Sequence, residues 1–402
     1  MPSLSRRHLL QTMGALGGAC LLPGLALAAP ATDKRLVVVI LRGALDGLAL
    51  APPLGDRDYA GARGGLALSP GTGALALDAD FGLNAALADL KPLYDARELL
   101  IVHAIASPYR DRSHFDGQNV LETGFGHPQG SADGWLNRAL ALLPQPADGR
   151  RLGLAVGPSV PLILRGTQRI AAWEPETMPG LDPTFLDLLG GLYAHDPLLG
   201  PALADGIKSQ AMSNALLGSV GGRKQNATRP GAAFATLAET AGKLLAAPDG
   251  ARIAVMELTG WDTHVGQGTV QGRLANALAG LAEGLLALKT ALGPAWRDTA
   301  VLAVTEFGRT VAQNGTNGTD HGTGTAALVM GGAVRGGRVV AQWPGLSQAK
   351  LYQARDLLPT ADLRGLLKAA LQAQYGVGTQ ALAAKVFPDS ANVKPIDGLF
   401  AA

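Results

Sequence analysis

Cysteine is almost absent from this chain of 402 residues, which contains one, at position 20. Aromatic residues make up 5%, and neither sign of charge prevails, since Lys and Arg number 34 and Asp and Glu number 32. With a single cysteine, no disulfide framework and no C-x-x-C zinc ribbon can form within the chain. The balanced charge also provides no basic tail or stripe for nucleic acid. We therefore predict no nucleic-acid partner.

Several catalytic motifs are missing as well. The sequence has no G-x-S-x-G elbow, no P-loop and no G-x-G-x-x-G following a strand. These absences argue against a lipase, an NTPase and a dinucleotide enzyme. Beyond the N-terminal segment, no apolar run is long enough to span a bilayer. We therefore predict no stable membrane span in the mature chain.

The first 28 residues have the pattern of a twin-arginine export signal. Arg6-Arg7 is followed by an apolar segment and by small residues ending at Ala28, as at a cleavage site. A proline and a glycine interrupt the apolar segment, which favours a removed signal over a retained anchor. A lipoprotein signal at Cys20 fits less well, because the expected leucine before the cysteine is missing.

Removal of this signal has consequences for the mature protein. It would take away two arginines and the cysteine, leaving 32 of the 34 basic residues against 32 acidic ones. A protein exported in this way is expected in the periplasm or outside the cell, without disulfides. The expected partner on the way is the twin-arginine export machinery, which carries folded proteins and often ones with a metal or cofactor already bound.

The remaining chain, residues 29–402, reads as one α/β domain. Six short apolar runs indicate strands buried on both faces and therefore parallel and flanked by helices. The runs are Leu36–Leu41, Leu99–Ile105, Val160–Leu164, Ile253–Leu258, Ala300–Val304 and Ala326–Met330. The predicted fold is thus a mostly parallel central sheet with helices on both faces.

Helical patterns lie between these runs. Leucines at spacings of three and four between Leu274 and Leu292 predict a crossover helix facing the core. Residues 183–250 are also expected to be helical, apart from an exposed polar loop at Gly221–Arg229. We predict that residues 125–250, approximately, form a helical cap or insertion in the domain.

Polar side chains follow the ends of two late strands. Glu306 comes just after Ala300–Val304, and a loop rich in Gly, Asn and Thr then leads to Asp320-His321. Asp262 and His264 follow the strand before it, and in extended backbone their side chains point the same way. Ligands of open α/β sheets bind at the carboxyl ends of the strands. Carboxylates and imidazoles collected there predict a metal site.

The first two strands are followed by further candidates. Asp46 is either the first residue of an Asp-Gly turn or a ligand of a hard cation. Ser113 is either a helix N-cap or a nucleophile at the positive end of a helix. Arg112, with Arg110, could then contact phosphate or sulfate oxygens. His114 could cap the helix, bind metal or hydrogen-bond locally.

Other arginine and histidine residues have plainer or alternative interpretations. Arg309 is predicted to hold a substrate oxyanion or to pair with Glu306. His103 is interpreted as a core histidine whose ring atoms are hydrogen-bonded. His127 and His195 are interpreted as residues of the surface or the cap.

The motifs together resemble a known family. The twin-arginine start, LRGALDGL, SHFDGQNVLETG, GWDTH, EFGRT and GTDHG are similar to those of the domain-of-unknown-function 1501 family, within the alkaline phosphatase-like superfamily. The resemblance implies metals at the carboxyl edge of the sheet and a Ser or Thr nucleophile at a helix start. It assigns the nucleophile to Ser113 and metal ligands to Asp46, Asp262, His264, Glu306 and His321.

The chain also departs from that superfamily's pattern. Its Asp and His are commonly four positions apart, whereas Asp262 and His264 are two apart. Glu306-Phe307 stands where an Asp-His pair is expected, and a phenyl ring cannot bind metal. One of the two usual metal sites is therefore expected to be lost, or rebuilt with Asp320 or His114.

The resulting functional hypothesis is an exported, metal-dependent hydrolase of phosphate or sulfate esters, acting on a small molecule or a polymer. The nucleophile would be Ser113 or a metal-bound water, and the divalent metal would be Zn, Mg, Mn or Ca. The alternative is a non-catalytic scaffold that uses the same fold to bind a metal or another ligand.

Overall fold

The computed structural model describes residues 33–174, 183–197, 199–201, 203–204, 206–207 and 231–401. The predicted export signal at residues 1–28 and the predicted loop at Gly221–Arg229 lie outside these residues. Within the described part of the chain, every helix is too short or too polar to cross a bilayer.

A nine-stranded sheet forms the centre of the protein, in the order β10-β4-β9-β8-β1-β7-β5-β6 with β11 also paired to β4. Strands β2 and β3 form a separate antiparallel pair. The strands are β1 Arg35–Arg42, β2 Ala74–Ala76, β3 Gly82–Asn84, β4 Leu99–Ala106, β5 Gly153–Val156, β6 Ala171–Trp173, β7 Ile253–Thr259, β8 Thr299–Val304, β9 Thr325–Met330, β10 Arg338–Val340 and β11 Ala361–Asp362.

Helices connect and cover these strands. The α-helices are α1 Gly47–Leu50, α2 Tyr59–Arg63, α3 Lys91–Asp95, α4 His114–Thr123, α5 Trp135–Leu140, α6 Pro183–Tyr193, α7 Ala232–Ala246, α8 Arg273–Leu292, α9 Leu363–Tyr375 and α10 Thr379–Ala381. Short 3-10 helices lie at Gly64–Leu66, Ala85–Leu90, Leu162–Leu164, Gly293–Asp298 and Gln348–Lys350, and a π-helix at Leu382–Val386.

Alternate residues of β1 point to opposite faces of the sheet, and both faces are buried. Val37 and Val39 belong to one apolar layer, which includes leucines of α7 and α8. Leu36 and Val38 belong to the other, which includes residues of α5 and α9. The predicted fold class, a mostly parallel sheet with helices on both faces, is confirmed.

The direction of β9 differs from the prediction. The run at Ala326–Met330 forms a strand, but it is antiparallel to both of its neighbours, β4 and β8. A parallel strand needs a long crossover, usually a helix, whereas the connection from β8 to β9 contains no helix. Because β9 returns beside β8, residues 305–324 begin and end at one edge of the sheet.

The prediction of a strand at Val160–Leu164 is wrong. The second half of this segment forms the 3-10 helix Leu162–Leu164, and the neighbouring strand of the sheet is β5. Pro161 at the N-cap of this turn removes a backbone N–H that a central strand would need.

The segment predicted as a cap contributes to the central sheet. Strand β5 pairs with β7 and with β6, so residues from the predicted insertion extend the sheet. Helix α7, from the same segment, belongs to the apolar layer that also contains residues of α8. The boundary of a cap at about 125–250 stays a prediction.

Candidate metal centre

Three connections at one edge of the sheet bring three histidines together. His114 begins α4 after β4, His264 follows β7, and His321 lies in the β8–β9 connection. The Nε2 atom of His321 lies 2.9 Å from Nε2 of His114 and 2.9 Å from Nε2 of His264. The three connections follow the carboxyl ends of β4, β7 and β8, so imidazoles that are far apart in the sequence meet at this edge of the sheet.

The other ring nitrogen of His114 and of His321 has an acceptor. Nδ1 of His114 lies 2.8 Å from Oε1 of Glu306, and Nδ1 of His321 lies 2.9 Å from the carbonyl oxygen of Arg112. These partners favour the Nδ1–H tautomer in both rings, which leaves a lone pair on each Nε2. Two lone pairs 2.9 Å apart repel each other, so the geometry favours a cation between them.

His264 has the same arrangement with a third acceptor. Its Nδ1 lies 3.3 Å from Oδ1 of Asp320, while its Nε2 lies 3.0 Å from Oδ1 of Asp262. Hydrogen bonds from Asn314 and His264 hold the pKa of the Asp320 carboxyl below its ordinary value. Asp320, predicted as a ligand, therefore lies behind His264, on the side away from His321.

Asp262 adds oxygen atoms to the three nitrogens. Its Oδ1 lies 3.3 Å from Nε2 of His321, and its Oδ2 lies 3.5 Å from Nε2 of His114. Nη1 of Arg309 donates to Oδ1 over 2.6 Å. Burial acts to raise the pKa of Asp262, but the hydrogen bond and charge of Arg309 lower it below its ordinary value. Asp262 is thus kept ionised.

The donor set fits a divalent cation of the zinc type. His114, Asp262 and His321 each offer a ligand atom, and these atoms all lie within 4.8 Å of one another. His264 adds a third imidazole nitrogen beside them. Zinc is usually bound by four ligands, commonly His nitrogen and carboxylate oxygen, and each ligating His donates its other N–H to an acceptor. All three histidines meet that last condition.

Glu306, predicted as a ligand, is placed behind His114. Its Oε1 accepts from the backbone N–H of Gly43 over 2.8 Å, and its Oε2 accepts from the Thr305 hydroxyl over 2.9 Å. Burial acts to raise its pKa, but hydrogen bonds from His114, Gly43 and Thr305 lower it overall. Glu306 is therefore a buried carboxylate whose contacts fix the ring of His114.

Phe307 directly follows Glu306 in the chain. Its ring stacks on that of His114, with centroids 4.9 Å apart and an interplanar angle of 29°. The centroid of the His321 ring lies 5.4 Å away. The phenyl ring of Phe307 therefore packs on two of the three imidazoles.

Asp46 is not brought into the group of His114, Asp262, His264 and His321. Its Oδ2 accepts from Arg63 Nη2 over 2.6 Å and from Gln267 Nε2 over 2.7 Å, and its Oδ1 accepts from the N–H of Ala49. The side chains of Arg63 and Asp46 are 0% and 2% exposed. Asp46 is the N-cap of α1, and Gly47 is the first residue of that helix.

The predicted catalytic residues lie around the start of α4. Ser113 is the N-cap of α4, but its side chain makes no capping hydrogen bond. The guanidinium of Arg112 donates to Oδ2 of Asp356 from Nε over 2.9 Å. The guanidinium of Arg110 donates to the backbone carbonyl of Tyr109 over 2.8 Å.

The predicted pair of Arg309 with Glu306 is not formed. Nη1 of Arg309 is bonded to Asp262, and its Nε donates to the Thr319 hydroxyl over 3.0 Å. Its side chain is 0% exposed. A substrate-facing role for Arg309 stays a prediction.

Glycines allow the β8–β9 connection to fold back on itself. A Cβ atom on Gly322 would lie 2.3 Å from the backbone carbonyl carbon of Arg309, and one on Gly318 would lie 2.2 Å from the carbonyl oxygen of His264. No larger residue fits either position without a shift of the backbone. These close approaches place Asp320 and His321 beside the β7 connection.

Histidines outside the site have the predicted surroundings. His103 is fully buried, its Nε2 contacts the carbonyl of Ala51 over 3.0 Å, and burial lowers its pKa to about 4. His127 and His195 are exposed.

Sequence reasoning left the role of His114 open and did not single out Arg63, Gln267 or Asp356. A polar or charged residue in a loop or short helix gives no sequence signal of a partner that lies far along the chain.

Three solved structures resemble this chain at low identity. The C-terminal periplasmic domain of EcEptC from Escherichia coli, in complex with Zn, is 11% identical over 77% of each chain, with a TM-score of 0.34. The phosphonate monoester hydrolase of Agrobacterium radiobacter is 13% identical over 76% of this chain and 70% of its own, with a TM-score of 0.33. BT1596, a 2-O GAG sulfatase, is 12% identical over 91% of this chain and 76% of its own, with a TM-score of 0.37. Similarity of this degree carries no argument about activity.

A comparison with curated protein sequences finds no match. A family model described as "Protein of unknown function (DUF1501)" matches residues 103–386. The match covers more than half of the chain and includes all three histidines and Asp262 of the candidate metal centre. The chain therefore belongs to the DUF1501 family, as its motifs predict.

Proposed function

We propose that this protein is an exported, metal-dependent hydrolase of phosphate or sulfate esters. The observation that supports the proposal is the convergence of three imidazole Nε2 atoms and one ionised carboxylate beside the first turn of α4. His114, His264, His321 and Asp262 would hold the metal. A bound divalent cation supplies Lewis acidity, which polarises an ester oxygen and favours ionisation of a nucleophilic hydroxyl or water.

The surrounding residues keep the four ligands ready to bind. Glu306, Asp320 and the carbonyl of Arg112 each accept a hydrogen bond from an Nδ1–H, so every Nε2 stays available for the metal. Arg309 keeps Asp262 ionised and fixes its orientation.

Ser113 is the proposed nucleophile. It directly precedes His114, so its hydroxyl belongs to a residue adjacent to a ligand, at the N-terminus of a ten-residue helix. Backbone N–H groups and the positive end of the helix dipole favour an anionic ester there. Since the side chain makes no capping hydrogen bond, the hydroxyl is not committed to the helix end. The Ser113 hydroxyl would lose its proton and attack the phosphorus or sulfur atom, and the bond to the ester's alcohol would break as that alcohol leaves and takes up a proton. Water would then hydrolyse the resulting ester of Ser113 and release the phosphate or sulfate.

A substrate panel tests the proposal. The purified chain, loaded separately with Zn, Mn, Mg or Ca, is incubated with p-nitrophenyl phosphate, bis-p-nitrophenyl phosphate and p-nitrophenyl sulfate. We expect turnover of at least one ester, and a loss of about a hundredfold or more in Ser113→Ala with metal content unchanged. Ser159→Ala, at an exposed serine, is the matched control. Turnover that survives Ser113→Ala would remove Ser113 from the mechanism.

A second candidate function is a metal-binding scaffold without catalysis. It is favoured by the engagement of two of the three arginines predicted to contact substrate, since Arg309 is bonded to Asp262 and Arg112 to Asp356. Stoichiometric metal without turnover of any ester would support the scaffold and contradict the hydrolase.

Export is proposed from the sequence of residues 1–28. Replacement of Arg6 and Arg7 by lysine should stop export of a reporter fused to this segment, because the twin arginines carry the signal. Fractionation of cells into cytoplasm and periplasm measures the outcome. A reporter exported equally well without the arginines would contradict this route.

A further inference from the structure

We propose that the segment Tyr352–Asp356, here called the supporting loop, positions the metal centre through Arg112 and His321. This inference rests on the proposed metal centre. None of the five residues of the supporting loop is proposed to touch the metal, so they act as positioning residues. Their contacts reach two different parts of the centre, as follows.

Unusual backbone conformations occur on both sides of one contact. Arg112 has φ +62°, and Gln353 and Ala354 of the supporting loop have φ +53° and +54°. The left-handed region is unfavourable for residues with a Cβ and persists where surrounding contacts enforce it. Gln353 and Ala354 are the central residues of a turn closed by the hydrogen bond from the N–H of Arg355 to the carbonyl of Tyr352. The side chain of Gln353 in turn contacts Arg112, in the turn before α4.

The supporting loop binds the guanidinium of Arg112 on several sides. Nε and Nη2 lie 2.9 Å and 2.8 Å from Oδ2 of Asp356, and Nη2 donates to Oε1 of Gln353 over 2.6 Å. The Asp356 side chain is 0% exposed, so its attraction for the guanidinium is little screened by water. The ring of Tyr352 lies 6.0 Å from the guanidinium carbon. These contacts hold Arg112 in its left-handed conformation.

That conformation of Arg112 has two consequences for the metal centre. The carbonyl oxygen of Arg112 is aimed at Nδ1 of His321, 2.9 Å away, which fixes the tautomer of that ring. The same turn leads directly into Ser113 and His114, so it sets the position of the first ligand. The supporting loop therefore acts on His321 and His114 through one residue.

A second contact reaches the backbone of His321. Nη2 of Arg355 donates to the carbonyl oxygen of His321 over 2.8 Å. The supporting loop thus fixes the main chain of this ligand directly and its ring through Arg112. Asp356 is itself anchored by paired backbone hydrogen bonds with Tyr352, of 2.8 Å and 3.0 Å. A ligand supported from ring and backbone loses little freedom when it binds a metal.

Zinc affinity in Asp356→Asn tests the inference. This variant keeps the shape of the side chain and removes its charge, and we expect zinc affinity to fall roughly 10–100-fold in competition with a chromophoric chelator. Proton–nitrogen NMR of the histidine rings should show the Nδ1–H signal of His321 weakened or shifted. Asp133→Asn breaks a more exposed carboxylate pair with Arg138 elsewhere and should change neither measurement.

Two replacements of Arg112 separate the backbone conformation from the ion pair. Both Arg112→Gly and Arg112→Ala lose the contact with Asp356, but glycine adopts the left-handed region without strain. We expect Arg112→Gly to bind zinc several-fold more tightly than Arg112→Ala, and Arg112→Lys to restore part of the affinity. If Asp356→Asn does not fold, this comparison decides the matter.

The outcomes distinguish this inference from the proposed function. Wild-type chain that binds no zinc would contradict the metal centre and this inference with it. Wild-type binding combined with unchanged affinity and an unchanged His321 signal in Asp356→Asn would contradict the supporting loop alone. Equal zinc affinities of Arg112→Gly and Arg112→Ala would do the same.

Discussion

Nδ1 of His114 lies 2.8 Å from Oε1 of Glu306, a carboxylate without exposed surface. The hydrogen bond to Glu306 outweighs burial and raises the pKa of His114 above its ordinary value. Burial and nearby positive charge, by contrast, lower the pKa of His321. Two imidazoles 2.9 Å apart thus differ in basicity because their surroundings differ.

Replacement of Glu306 by glutamine should weaken metal binding. Gln keeps the size of the side chain but removes the negative charge that orients His114 and increases its basicity, so we expect a roughly 10–100-fold lower zinc affinity. Competition with a chelator measures the affinity. Glu239→Gln, at an exposed i,i+4 pair with Lys243, is the control and should have no effect. Equal affinities of Glu306→Gln and wild type would show that this carboxylate does not support the centre.

Asp46→Asn decides whether Asp46 is a metal ligand. The buried contacts with Arg63 and Gln267 lead us to expect unchanged metal content, one ion per chain, and a loss of about 3–5 kcal/mol in the free energy of unfolding. Elemental analysis and urea unfolding measure the two quantities. Asp95→Asn, at a more exposed pair with Lys91, should cost under about 1 kcal/mol. A drop in metal content would restore Asp46 as a ligand.

Acid should destabilise the protein through His103. Burial lowers its folded pKa to about 4, so between the unfolded pKa near 6.5 and pH 4 the unfolded state binds more protons. Stability therefore falls as the pH falls through this window, by about 3 kcal/mol for this residue, and no further below it. Protonation would also break the hydrogen bond from the N–H of Ala104 to Nδ1 of His103.

Urea unfolding of metal-free protein at pH 7 and pH 4.5 measures this effect. His103→Gln should reduce the difference in the free energy of unfolding between pH 7 and pH 4.5. His127→Gln, at an exposed histidine, should leave that difference unchanged. The same dependence on pH in wild type and His103→Gln would contradict the prediction.

Glycine 43 should be intolerant of any side chain. Gly43 has φ +119°, and a Cβ there would lie 2.7 Å from the backbone nitrogen of Asp262. Gly43→Ala is expected to cost at least about 1–3 kcal/mol of stability and to weaken metal binding, because Asp262 must move. Gly61→Ala, inside α2 with nothing within 4 Å, should instead be neutral or stabilising by about 0.5–1 kcal/mol. Thermal unfolding and chelator competition measure both, and similar results for the two variants would contradict the prediction.

The long buried strands could be predicted from the sequence, and the short ones could not. Continuous apolar runs mark β1, β4, β7 and β8, whereas strands of two to four residues such as β5 and β11 contain too little pattern. The direction of β9 is not encoded in its apolar run. Its signal was the missing helix between β8 and β9, which a crossover between parallel strands would need.

Part of the candidate site could also be predicted. Asp262, His264 and His321 follow from the rule that strand carboxyl ends gather ligands. The structure places Glu306 and Asp320 behind histidines, where each carboxylate contacts an Nδ1 atom. Their expected roles as direct metal ligands stay predictions. A sequence shows which residues reach an edge of the sheet. It does not show which carboxylate faces the ion and which faces an imidazole.

The antiparallel return of β9 beside β8 affects how metal loss would spread through the protein. His114, Asp262, His264 and His321 come from three connections, and a metal bound to all four residues would be shared by these connections. A chelator would therefore loosen all three together, and amide hydrogen exchange would accelerate there in concert. The amides of β1, enclosed between two apolar layers, would keep their protection.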